Sequence, residues 1–160
     1  MARILIILFI FVFFGCEMNS KQVIKPENFL YDTIKFNAVT KVLQNKFELN
    51  SSDHKTMSEI IKYWFDNRIK TDGFTGDLSV NVKKIEFNRE KKQDHYKFLV
   101  SLSIEFIEQI SSSNIKTYTV NSNEFGEIQG SFTIRDQDNL DLNLMHKSLE
   151  SISSKLLEIN

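Results

Sequence analysis

The stretch Tyr96–Phe106 constrains this chain more than any other. Tyr96, Phe98, Val100, Leu102, Ile104 and Phe106 occupy every second position, with Lys97, Ser101, Ser103 and Glu105 between them and Leu99 as the one exception. A period of two is a strand with one face in the core and the other in water. Such a strand needs pairing neighbours on both edges and cover on one face. Leu78, Val80 and Val82 supply one neighbour, and its apolar register then slips to Ile85 and Phe87 as a bulge would make it. Ser111-Ser112-Ser113-Asn114 turns the chain into a strand over Ile115–Val120. A break is expected at Asn123–Glu127, which contains Gly126, and alternation returns at Ile128, Gly130, Phe132 and Ile134. A first strand is expected at Ile34, Phe36 and Ala38, with pairing continuing through Val39 and Val42.

Two helical stripes supply the cover. After Asn50-Ser51-Ser52-Asp53, the residues Met57, Ile60, Ile61, Trp64, Phe65 and Ile69 fall at helical spacing, with Thr56 and Glu59 placed as a capping box and Gly73 as the stop. Lys62, Asp66 and Lys70 mark the wet side. The last helix is expected to open at Asp136 as N-cap, with Asp138 and Asp141 near its positive end. Its apolar residues Leu142, Met145, Leu149, Ile152, Leu156 and Ile159 form a stripe that reads as core packing, with fewer heptads than a coiled coil needs. The predicted fold is α+β: a single antiparallel sheet of about four to five strands with two helices packed on one face, in the order β-α-β-β-β-α.

The N-terminus is a different kind of sequence. Met1-Ala2-Arg3 gives a positive start, Ile4–Phe14 is an unbroken apolar run, and Gly15-Cys16 followed by Glu17, Asn19, Ser20 and Lys21 ends it. The run has the length of a signal-peptide core and falls short of the roughly 20 residues of a spanning helix. Phe13-Phe14-Gly15-Cys16 resembles the lipobox of bacterial lipoproteins. The resemblance implies cleavage between Gly15 and Cys16, lipidation of Cys16, and anchoring to a membrane through acyl chains, two of which hold stably where one does not. Glu17 stands where an Asp would be the familiar inner-membrane retention signal, so the resemblance favours the outer membrane. An ordinary secretory leader and an uncut anchor are the other readings of the same segment. The expected organisation is a signal peptide at 1–15, a lipidated tether at 16–28 containing the only proline, Pro26, and a single α+β domain at 29–160. Cys16 is the only cysteine, so an internal disulfide is excluded and the domain must rely on its core.

Motifs of catalysis are missing from the sequence. His54, His95 and His146 lack metal-ligand spacing. Asp136-Gln137-Asp138-Asn139-Leu140-Asp141 starts like a calcium loop but has Asp141 where Gly is needed and Lys147 where Glu is needed. No phosphate loop, nucleophile elbow or HExxH occurs. No cofactor, no metal and no enzymatic activity are therefore expected. A formal net charge of −1 argues against nucleic acid as a partner. Locally, Lys83, Lys84, Arg89, Lys91, Lys92 and Lys97 outnumber Glu86, Glu90 and Asp94 around one hairpin. They are the candidate residues for binding an anion or lipid; the alternative is a solvated hairpin whose lysines deter stray strand pairing.

A lipid-anchored cysteine followed by β-α-β-β-β-α is similar to the lipopolysaccharide-assembly lipoproteins and to auxiliary lipoproteins of lipid transport. Trp64, Asn67-Arg68-Ile69, Gly73 and Gly76 resemble a stretch in small proteobacterial lipoproteins. The likeness is one of element order and implies an envelope accessory or assembly factor facing the periplasm, its partner a lipid or an envelope protein complex. A structural lipoprotein that grips a protein through the Leu142–Ile159 stripe or a strand edge is the alternative. A periplasmic enzyme with a non-local site is a third reading.

Overall fold

The computed structural model describes residues 33–45 and 51–159. The expected signal peptide at 1–15, Cys16, the expected tether at 16–28 and the expected domain start at Phe29 lie outside the described residues. The strand that dominates the sequence is the centre of the sheet. β5 (His95–Ser111) pairs antiparallel with β4 (Asp77–Lys92) on one side and β6 (Asn114–Gln129) on the other, through turns of two residues at each end. Its residues Tyr96, Phe98, Val100, Leu102, Ile104 and Phe106 are all buried. The expected slip in β4 is real, with the register shifting between Val82 and Lys84.

The α+β class holds, but the sheet is not wholly antiparallel. β2 (Thr40–Asn45) runs parallel to β4, from Thr40 beside Asp77 to Asn45 beside Val82. β1 (Ile34–Phe36) and β3 (Ile69–Thr71) form a separate parallel pair. The expected first strand is thus two strands. Ile34, Phe36 and Ala38 are buried as the alternation requires, whereas Val39 faces out. The cause lies at Gly73, where a Cβ would come within 2.4 Å of the Asn37 side chain and 2.6 Å of the Ala38 nitrogen. The Gly73 N–H donates to Ala38 O at 3.1 Å. Gly73 therefore marks the crossing of two backbones and not the end of a helix.

α1 (Ser52–Arg68) is capped by Ser51, whose side chain accepts from the His54 N–H. Thr56, expected in the cap, lies inside the helix and donates its hydroxyl to Ser52 O. Ile69 belongs to β3 and not to the helix, its backbone extended at φ −82°, ψ 117°. One side chain accounts for the ending. The Lys41 ammonium donates to Phe65 O at 2.9 Å and Ile69 O at 2.6 Å and stands 4.5 Å from the Phe65 ring centroid. It takes up carbonyls that a helix end otherwise leaves to water, and burial lowers its pKa.

α2 (Ile134–Ile159) starts earlier than expected, with Thr133 and Asp136 capping each other. The Asp136 carboxylate accepts from the Thr133 N–H at 2.8 Å, and the Asp136 N–H donates to Thr133 Oγ1 at 3.2 Å. Met145, Leu149, Ile152 and Leu156 are buried with Leu144, so most of the stripe faces the sheet; Ile159 is exposed. Trp64 Nε1 donates to the buried Ser153 Oγ at 2.8 Å and links the two helices. The break expected in β6 is absent. Gly126 sits directly under α2, where a Cβ would lie 2.8 Å from Leu140 Cδ1 and 3.0 Å from Leu144 Cδ1. Gly130, at φ 85°, follows the strand, and Phe132 turns back to lie 6.0 Å from Tyr96.

Candidate functional site

The bulge after Val82 decides which way the hairpin points its side chains. Beyond it, Ile85, Phe87 and Arg89 stand opposite Leu102, Val100 and Phe98 and share their helix-covered face. A regular strand would have turned Arg89 to water. Instead it reaches two carboxylates. Arg89 Nε and Nη2 donate to Asp141 Oδ2 at 2.9 and 2.8 Å, and Nη1 donates to Asp53 Oδ2 at 2.9 Å. Tyr96 donates its hydroxyl to Asp141 Oδ1 at 2.8 Å. The guanidinium also lies 4.4 Å from the Phe98 ring centroid, an aromatic face that attracts a cation.

Three titrating groups therefore hold one another. Burial alone would lower the Arg89 pKa, but the hydrogen bond and charge of Asp141, with Asp53 behind it, raise it. Burial pushes the Tyr96 hydroxyl up to about 12, reinforced by Asp141. Burial also pushes the Asp141 carboxyl above its ordinary value, a rise opposed by the hydrogen bonds from Arg89 and Tyr96.

Beside this cluster opens a cleft of about 570 Å³. Ile85, Phe87 and Leu99 line it with Ser51, Asp53, His54, Glu86, Asn88 and Arg89. His54 stands edge-on to Phe87 at 5.2 Å, and its Nδ1 lies 2.7 Å from the Ser51 hydroxyl. The cleft thus has apolar walls, two carboxylates and one guanidinium already committed to one of them. Among the described residues no group of three or more His, Cys, Asp or Glu side chains could hold a metal.

The six basic residues singled out in the sequence are not brought together on one face. Lys83 pairs with Glu105 at 3.5 Å, Lys84 with Glu86 at 2.9 Å, Lys92 with Glu90 at 2.7 Å and Lys97 with Glu127 at 4.0 Å. Lys91 donates to Gln137 of α2 at 3.3 Å, and Arg89 is held by the aspartates. Sequence reasoning grouped Arg89 with the lysines and missed its partners. The signal was present: Arg89 continues the slipped row Ile85–Phe87, and Asp141 stands one turn before Met145 on the buried stripe of α2.

No family model matches the chain, and no curated protein sequence matches it. Solved structures similar to it include rare lipoprotein B from Shewanella oneidensis, at 9% identity and a TM-score of 0.41, over 75% of this chain and 98% of that one. A minor lipoprotein from Acinetobacter baumannii matches at 12% identity and a TM-score of 0.40, over 73% and 86%. An uncharacterised lipoprotein B from Nitrosomonas europaea matches at 5% and 0.33, over 82% and 86%. Likenesses at these scores transfer no functional residue.

Proposed function

We propose that this chain is a lipid-anchored lipoprotein of the bacterial envelope, cut before Cys16, whose domain serves as an accessory or assembly factor by gripping an envelope protein. The observation that carries the reading is the apolar run Ile4–Phe14 ending in Gly15-Cys16. The periplasmic side is the exported side of such a leader, and Glu17 in place of Asp favours the outer membrane. The cleft supports a protein partner over an anionic lipid, because Asp53 and Glu86 line it and Arg89 is already neutralised. An apolar side chain flanked by a base suits those walls. The mutual satisfaction of Arg89, Tyr96 and Asp141 supports a clamp between hairpin and helices over a reacting group.

Native mass spectrometry of the full chain, extracted in mild detergent from its own membranes, tests this. The expected result is the mass of acylated Cys16–Asn160 with a protein still bound. A chain retaining Met1–Gly15, or cut without lipid, overturns the anchor.

A second reading rests on the outward lysines. Lys84, Lys92 and Lys97 keep 52%, 67% and 39% of their side-chain surface exposed, and exposed ion pairs contribute only about 0–1 kcal/mol, so a phosphate could recruit these cations. Charge reversal at Lys84, Lys92 and Lys97 should then abolish lipid co-purification without lowering the melting temperature. Unchanged lipid would discard this reading.

A further inference from the structure

β2 covers only part of the edge that β4 turns toward it. The pairing runs from Asp77 to Val82 and stops where the bulge begins. β4 itself continues to Lys92, and among the described residues no strand pairs with it on that side beyond Val82.

The cleft beside the Arg89 cluster is where this edge reaches the surface. Ile85, Phe87 and Arg89 enter it from the helix-covered face of β4; Glu86 and Asn88, which stand opposite Ser101 and Leu99, enter it from the other face together with Leu99. Successive residues of a strand point to opposite faces, so a cleft lined by all of 85–89 passes the backbone edge between them. β5 fills the opposite edge. The facing wall is the start of α1, with Ser51, Asp53 and His54. A row of backbone N–H and C=O groups lying between a strand and a helix is matched in full by one thing, another extended polypeptide backbone. An acyl chain offers those groups nothing. Ile85–Arg89 spans roughly 13 Å at a strand's rise of about 3.3 Å per residue, room for about four or five residues of an added strand.

The charges around this window select what enters. Lysine along a strand edge deters stray pairing, and Lys83 and Lys84 stand before the window with Lys91 and Lys92 after it. Inside it the one base is Arg89, which is turned to Asp141 and Asp53. Asp53 and Glu86 against Arg89 leave the lining with an excess of negative charge. We infer that a partner protein adds an extended segment to the open edge of β4 at Ile85–Arg89, alternating apolar side chains laid on Ile85 and Phe87 with basic ones beside Glu86. The inference rests on the reading of this cleft as a protein site and gives the form in which the partner enters it.

The test uses the full chain, extracted from its membranes in mild detergent and weighed, with a blocked pentapeptide alternating valine and lysine as probe. Amide exchange followed by NMR should slow about tenfold or more at alternate residues of Ile85–Arg89 when the peptide is added. Slowing at β6, the other edge of the sheet, in their place overturns the assignment. Methylating the backbone nitrogens of the peptide's central residues should weaken binding about tenfold or more, because bonds to β4 are lost while every side chain is kept. Equal binding of the methylated peptide overturns strand addition and leaves a pocket for a protein side chain. Glutamate in place of lysine should weaken binding by a similar factor, and equal binding overturns the basic preference. No binding by a chain of acylated mass overturns strand addition and leaves the anchor standing; binding by an unacylated chain overturns the anchor and supports the added strand. Protection of these amides before any peptide is added also overturns the inference: lost on dilution, it assigns the edge to a second copy, and kept on dilution, to the chain's own residues 46–50.

Discussion

The two ends of the sheet are held by opposite means. At the hairpin end, Arg89, Asp141, Tyr96 and Asp53 fix one another through side-chain hydrogen bonds, with the backbone acting only through the bulge that aims Arg89 inward. At the other end, backbone hydrogen bonds and the close approach of Gly76 to β5 hold the loop at 72–76, and the exposed Phe74 is left outside. The difference teaches where each end can tolerate change. A cluster of charges fails when one member is lost, whereas a seated loop can change its outward side chain without effect on the fold.

Asp141→Ala should show the largest effect. Removing one partner of a half-buried pair leaves the other charge uncompensated, at about 3 kcal/mol here because Arg89 retains some water. Urea unfolding measures it, and adding Arg89→Met should recover most of the loss; no recovery would mean that the cluster is not a unit. Gly76→Ala comes next, at about 2–3 kcal/mol, since the new Cβ meets backbone and φ 84° strains any L side chain. A neutral result would break the claim that the backbone seats this end.

His146 gives a smaller effect between the two ends. Burial lowers its pKa from 6.5, opposed by Glu150, so the unfolded chain takes the proton first. Its contribution is intact above pH 6.5 and is lost as pH falls below that value. His146→Gln should flatten this slope in thermal melts across pH 5 to 7. Phe74→Ser should have the smallest effect on stability, within about 0.5 kcal/mol. A much larger loss would show that Phe74 belongs to the core.

The sequence was legible wherever one period ran unopposed. β5, the bulge of β4 and the buried stripe of α2 all follow from spacing, because each buries a continuous row against one neighbour. The failures share a cause in contacts from elsewhere in the chain. Ile69 fits the α1 stripe as well as a strand, and what ends the helix is Lys41, 28 residues earlier. Gly126 reads as a break, yet it keeps β6 continuous by letting α2 come close. Parallel pairing of β2 with β4 has no local signature, since nothing in Thr40–Asn45 states a direction. The candidate site was half legible: its residues follow the buried rows, but only the fold brings Asp53, Arg89 and Asp141 together.

The two-residue turns of the β4–β5–β6 meander carry a kinetic consequence. Those strands find their partners over short loops, whereas β2 must find β4 across α1, with Thr40 meeting Asp77 37 residues away. Loop closure favours the near contacts first. The meander should therefore nucleate folding, with φ-values high for Val100 and Leu102 and low for Phe36 and Leu43. Uniform values would reject this order. β2 has no partner until β4 is in place beside β5, so this edge of the sheet is the last to close, and the exposed edge of β4 stands unpaired in the interval.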